Sequence, residues 1–218
     1  MNTTKTAPLA GVLGIAGVIA GLAMDTFPDG SMDDAAVTRW FDSHGTGLWM
    51  ASGFAIALGG TVLLLFAAVL AARVEEAGAG PVARHLTSTA ATAWAVLTMT
   101  GGALWLAVPV GVQFFDVKPT AALMSLSGLP YSVLVSVCAF AAAMTAATLT
   151  TVSRQTGLLP RWLTRAGYPA AVLMLTNIFL PMAVITLYFL AVSISLVRRT
   201  PDATTVSPAL GAASVLVG

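Results

Sequence analysis

Long apolar runs separated by short polar segments dominate the chain. A helix needs roughly 20 consecutive apolar residues to cross the ~30 Å hydrocarbon core of a bilayer. The first such run extends from Pro8 to Met24, the second from Gly47 to Ala72, the third from Ser88 to Val112 and the fourth from Pro130 to Val152. A last apolar stretch, Gly167 to Val197, is interrupted by Asn177 and Pro181. At roughly 31 residues it is too long for one untilted crossing and slightly short for two full crossings with a turn. The pattern predicts an all-α fold, a polytopic transmembrane helix bundle over residues 1–199. It has about six membrane segments if the last stretch is a hairpin, and five if that stretch is one kinked helix. The tail from Thr200 to Gly218, rich in Ser, Thr, Ala and Pro, is expected to be disordered.

Composition supports the choice of solvent. Of 218 residues, 57% are hydrophobic and 9% charged, against about 25% charged in soluble domains, whose surface must be wetted. A net charge of +1 gives no general basic field, so nucleic acid is not an expected partner. Where the charges fall matters more than their sum, because cytoplasmic loops are enriched in lysine and arginine. With a terminal hairpin, Lys5, Arg73, Arg84, Arg154, Arg161, Arg165, Arg198 and Arg199 share one face, leaving Arg39 and Lys118 opposite. With a single last crossing the bias weakens to six against four. The hairpin is preferred, which predicts a multi-pass protein of the cell membrane with both termini cytoplasmic.

Smaller features refine this picture. The first run follows a lysine, as a signal peptide would, but it lacks a clear small-x-small cleavage site and is followed by further spans, so it reads as a retained helix. Gly11, Gly14, Gly17 and Gly21, with Gly53, Gly59, Gly60 and the Gly101–Gly102 pair, suit close helix approach. In the outer segment Asp25–Thr46, Asp33 and Asp34 can begin a short helix, where carboxylates suit the positive dipole end. Val37, Trp40 and Phe41 then form a stripe fit to lie flat on the membrane interface. Trp94 and Trp162 read as belt residues on the cytoplasmic side. The single cysteine, Cys138, sits in an apolar run and reads as a small buried hydrophobe.

The common chemical motifs are missing from the sequence. It holds no Walker-type phosphate loop, no His-Glu-x-x-His and no Cys-x-x-Cys. The middles of the spans carry no acid, base or histidine, which disfavours intramembrane proteolysis and ion-coupled transport. The run Asp25 to Ala36 fails as a calcium loop, with Phe27 and Ala36 at two ligand positions. Asp33-Asp34 lacks the third aspartate of a magnesium-diphosphate motif, since Val37 stands in its place. Neither metal nor cofactor is therefore expected.

What remains is a set of residues at one membrane level. Asp25 ends the first span, Trp49 opens the second, and Trp105 lies in the outer third of the third. Phe115 and Asp116 follow just outside, Tyr131 opens the fourth span, and Asn177 and Phe179 sit at the apex of the final hairpin. A carboxyl group at an apolar, aromatic-walled boundary should have a raised pKa and serve as a general acid. Aromatic faces stabilise cations in a dry site. The competing reading is an interfacial aromatic belt with carboxylates in outer loops, and Asp116 can equally pair with Lys118.

Two resemblances bear on this set. The stretch Asp33-Asp34-Ala-Ala-Val with Asp42-Ser-His44, the long second span, and Leu159-Pro160-Arg161-Trp162-Leu163 before a final apolar pair resemble a large group of multi-pass bacterial integral membrane proteins, actinobacterial in composition. The likeness covers roughly residues 8 to 199 and implies no particular activity. A looser one, in size, topology and the acid-plus-aromatic pattern, is to small integral-membrane terpene cyclases. That resemblance implies metal-independent, proton-initiated cyclisation of a prenylated, lipophilic small molecule. Asp25 or Asp116 would be the donor and Asp42 a supporting carboxylate. Trp49, Trp105, Phe115, Tyr131 and Phe179 would form the cation-stabilising wall, with Asn177 orienting an acid. The alternative expectation is a non-enzymatic membrane protein, a small-molecule permease or a scaffold or complex subunit.

Overall fold

The computed structural model describes residues 8–24, 28, 31–176 and 180–198, and every regular element among them is helical. In chain order these are α1 (Leu9–Ala23), α2 (Asp34–His44), α3 (Gly47–Glu76), α4 (Pro81–Phe114), α5 (Ala121–Ser125), α6 (Gly128–Ser132), a π-helical turn (Val133–Val137), α7 (Cys138–Thr156), α8 (Arg161–Leu173) and α9 (Leu180–Arg198). Three of them are long and apolar enough to cross a membrane: α3, α4 and the near-continuous run Ala121–Thr156. The apolar helices α1 and Met182–Arg198 are shorter.

Element boundaries follow local chemistry. Pro81 opens α4 at a position where its missing N–H would have had no intrahelical partner. Gly157 closes α7 with φ 70°, a left-handed conformation that favours glycine, and its N–H returns to the Ser153 carbonyl. The fourth span starts earlier than the apolar pattern predicts, at Ala121 rather than Pro130. The Thr120 hydroxyl caps α5 by accepting from the Leu123 N–H at 3.2 Å. Pro130, unable to bond the Leu126 carbonyl, stands in the first turn of a new helix after a break at Leu126–Ser127.

The bundle is assembled through glycine contacts. Helices α3 and α4 cross where a Cβ on Gly60 would meet the backbone of Met99, and one on Gly102 the backbone of Ala57. Helix α1 lies on α3 in the same way. A Cβ on Gly59 would stand 2.7 Å from the Gly14 carbonyl, and Ser52 Oγ donates to the Gly21 carbonyl at 2.8 Å. The expectation that these glycines serve close approach is met. Van der Waals contact and interhelical hydrogen bonds hold helices together where lipid removes the hydrophobic drive.

The last apolar stretch forms two helices folded back on each other. Gly167 of α8 abuts Thr150 of α7 and Tyr188 of α9, Phe189 stacks on Trp94 at 4.4 Å, and Ser193 faces Gly11. Farther along α9, Leu196 shares a cleft with Arg73, Glu76 and Leu158. The end of α9 thus returns to the end of the bundle where α8 begins. At ~20 Å for 13 residues, α8 is shorter than the ~30 Å hydrocarbon core. Near its end, Met174 and Leu175 lie beside Val135 and Ala139, and α9 meets Cys138 through Met182 and Ile185. The hairpin therefore rises from one end only to about the middle of the bundle.

The surface is apolar where lipid would lie. Phe54, Leu58, Leu65, Phe140 and Leu187 are all exposed on the flanks, whereas among the described residues the buried polar side chains are threonines and serines. Most of those hydroxyls bond back to the carbonyl four residues earlier, as Thr98 does to Trp94 and Ser193 to Phe189. Cys138 is buried as expected, against Thr98.

Candidate functional site

One end of the bundle carries a closed group of aromatic rings. Trp49, in the first turn of α3, is buried, and the short helix α2 roofs it through Phe41 (ring centroids 5.9 Å) and Trp40 (6.4 Å, edge-on). On its other side stands the buried Trp105 of α4, whose ring lies 6.5 Å from that of Tyr131. The space left between Trp49, Trp105, Val108 and Pro130 is about 10 Å³, room for no more than a single water.

The stripe on α2 faces protein rather than the membrane interface. Val37 and Phe41 are buried, so the expectation that this stripe lies on lipid is corrected. Sequence spacing identified the stripe but could not say what would cover it. Side chains from distant parts of the chain fix α2 in place. Asp33 caps it through the Ala36 N–H at 2.7 Å, and Asp34 Oδ1 accepts from the Ala121 N–H at 2.7 Å, tying α2 to the start of α5. Thr46 Oγ1 donates to Gln113 Oε1 at 2.8 Å across the α3–α4 mouth. The two aspartates are thus helix caps, as their first-turn positions suggest, with the Asp34 link reaching 87 residues along the chain.

Of the expected site residues, the structure brings together Trp49, Trp105 and Tyr131. Phe115 points outward at 73% exposure, and both Asp42 and Asp116 are exposed and line no part of the aromatic space. Asp116 makes no ion pair with Lys118 among the described residues. It adopts φ 50°, the left-handed region that aspartate tolerates better than most residues. There it reverses the chain after α4, so that the Val117 N–H reaches back to the Gly111 carbonyl at 3.2 Å. Asp25, Asn177 and Phe179 lie outside the described residues, as do Lys5, Arg199 and the tail.

A second space lies mid-bundle. About 30 Å³ is left between α1, α3, α4, α7 and α9, lined by Ile15, Leu63, Trp94, Thr98, Cys138 and Ile185 among others. Trp94, expected in the cytoplasmic belt, is instead a core residue stacked on Phe189. Its position near the middle of α4 puts it below the headgroup level, and the partner ring is 95 residues away in sequence. Trp162 is exposed, as a belt residue would be.

The opposite end of the bundle is basic. Arg73 pairs with Glu76 and Arg84 with Glu75, each at 2.8 Å. These are the only acids in the 47–199 part of the sequence besides Asp116. Among the described residues, Arg154, Arg161, Arg165 and Arg198 therefore remain in excess of carboxylates at this end. Arg154 lies over the Tyr168 ring, 4.7 Å from its centroid. Comparison of the chain with protein-family models, curated proteins and solved structures found no match.

Proposed function

We propose that the chain is a multi-pass protein of the cell membrane with both termini cytoplasmic, acting as a non-enzymatic scaffold or subunit of a membrane complex. Six membrane segments, the last two forming a re-entrant hairpin, agree with the excess of arginine at one end. The observation that carries the non-enzymatic reading is the separation of acids from rings. Asp42 and Asp116 stand exposed outside an aromatic group that leaves about 10 Å³ among its side chains. A prenyl-sized ligand occupies several hundred Å³. On this reading Asp116→Asn and Asp25→Asn variants keep wild-type expression, monodispersity and any cellular phenotype, and the protein co-purifies with a partner from mild detergent.

The second reading, a metal-independent terpene cyclase, draws its support from the Trp49–Trp105–Tyr131 group together with Asp25. That residue follows α1, whose Gly21 packs at the level of Ser52 near the same end. Cells expressing the protein and fed farnesylated indole would then form a cyclised product, and Asp25→Asn would abolish it with expression unchanged. Absence of product from several prenyl acceptors would leave the scaffold reading in place.

A further inference from the structure

Three arginines converge where, among the described residues, no carboxylate balances them. At the basic end, α7 and α8 meet in an open cleft of about 400 Å³ lined by Arg154, Arg161, Arg165, Ser153, Thr164 and the Gly157 turn. The two glutamates of this end are committed to Arg73 and Arg84, and neither lines the cleft. Arg161 and Arg165 are one helical turn apart on α8, so both guanidinium groups reach the same side. Arg154 arrives from the last turn of α7 and is steadied by its stacking on Tyr168. No side chain caps the start of α8, whose N-cap is Pro160, so the positive end of that helix adds to the same field. Trp162, 61% exposed, stands beside the cleft in the manner of residues that lie among lipid headgroups.

We propose that this cleft is a binding site for the phosphate group of an anionic membrane phospholipid. Guanidinium groups bind phosphate oxygens in paired, charge-assisted hydrogen bonds, a geometry that carboxylate-free arginine clusters offer. The site rests on the reading that the bundle is membrane-embedded. Its position at the end of the apolar helices is the depth at which headgroups lie, and the exposed indole beside it favours a lipid over a soluble phosphate as the source. The apolar flank of α8, including the exposed Val172, gives the attached acyl chains a surface to follow.

Membrane insertion of the wild-type protein is first established by resistance to alkaline extraction, so that a failure of the membrane reading is seen separately. Purified protein in neutral detergent is then titrated with phosphatidylglycerol, with phosphatidylcholine or with inorganic phosphate, and retained lipid and thermal stability are measured. The expected result is stabilisation by phosphatidylglycerol alone, weakened about tenfold or more in R161Q/R165Q and unchanged in R198Q, which removes a charge from the same end outside the cleft. Both replaced arginines are exposed, and the double variant is expected to match wild type in stability without lipid. Equal response to phosphatidylcholine, equal weakening in R198Q, or full retention in R161Q/R165Q would overturn the proposal. Inorganic phosphate reproducing the effect without lipid would overturn the lipid as its source.

Discussion

Replacing Gly60 with leucine is expected to prevent assembly of the bundle, and Gly102→Leu to do the same. At both positions the added Cβ alone would run into backbone of the facing helix, Met99 in one case and Ala57 in the other. No rotamer change relieves a clash with backbone, so α3 and α4 must separate along their longest shared face. Overpacking of a core costs about 1–3 kcal/mol when side chains can give way; here only backbone could yield, and the cost is the α3–α4 contact as a whole, well above that range. Native proteins have about 5–15 kcal/mol in hand, so little folded material should survive detergent extraction as a monodisperse peak in size-exclusion chromatography. Gly47→Ala, where nothing lies within 4 Å, should elute and melt like wild type. A monodisperse, wild-type-like G60L would show that the α3–α4 crossing is wrongly described.

The second large effect falls on the hairpin. A Cβ on Gly167 would overlap the Thr150 hydroxyl and approach the Tyr188 hydroxyl to 2.9 Å, at the point where α7, α8 and α9 meet. Gly167→Ala should therefore undock α8 and α9 while leaving the α1–α3–α4 packing in place, lowering Tm and exposing the hairpin to protease before the rest of the bundle. Here, unlike at Gly60, the clashing atoms belong to side chains, Thr150 and Tyr188. Thr150→Ala removes the Thr150 hydroxyl while the Tyr188 contact stays, and the double variant should recover part of the loss, a non-additivity of about 1–3 kcal/mol in a double-mutant cycle. Additive effects of the two changes would contradict the three-helix contact.

The difference between what could be read from the sequence and what could not has a physical basis. Apolar runs locate α1 and α3 and the end of α4 to within a few residues, while α4 starts earlier than its apolar run, at Pro81 rather than Ser88, and the basic residues favour a hairpin at Asn177–Pro181. Rotation of each helix about its own axis was not legible. The spans are apolar on all sides, so periodicity does not distinguish a lipid-facing residue from a core one. Trp49 is buried and Phe54, little more than a turn away, is exposed, yet both read alike in sequence. The same ambiguity hid the stacking of Trp94 on Phe189 and made Phe115 look like part of an inner wall. Level along the helices was legible for Trp49, Trp105 and Tyr131, which do gather at one end, but not for Trp94, which lies near the middle of α4. The position of an acid relative to the cavity depends on loop geometry, and for Asp116 the left-handed turn turns out to be what the residue serves. The Asp34–Ala121 link joins segments with no local signal in common.

These observations describe a bundle whose arginine-rich end receives both the start of α8 and the end of α9. Site-directed labelling tests that topology most directly. In a Cys138→Ala background, single cysteines replace Lys118, Gln155 and Arg198, all exposed, and intact and permeabilised cells are treated with a membrane-impermeant maleimide. K118C is expected to react in intact cells, and Q155C and R198C to react together, only after permeabilisation. Reaction of R198C alongside K118C in intact cells, with Q155C protected, would contradict the hairpin and the orientation built on it.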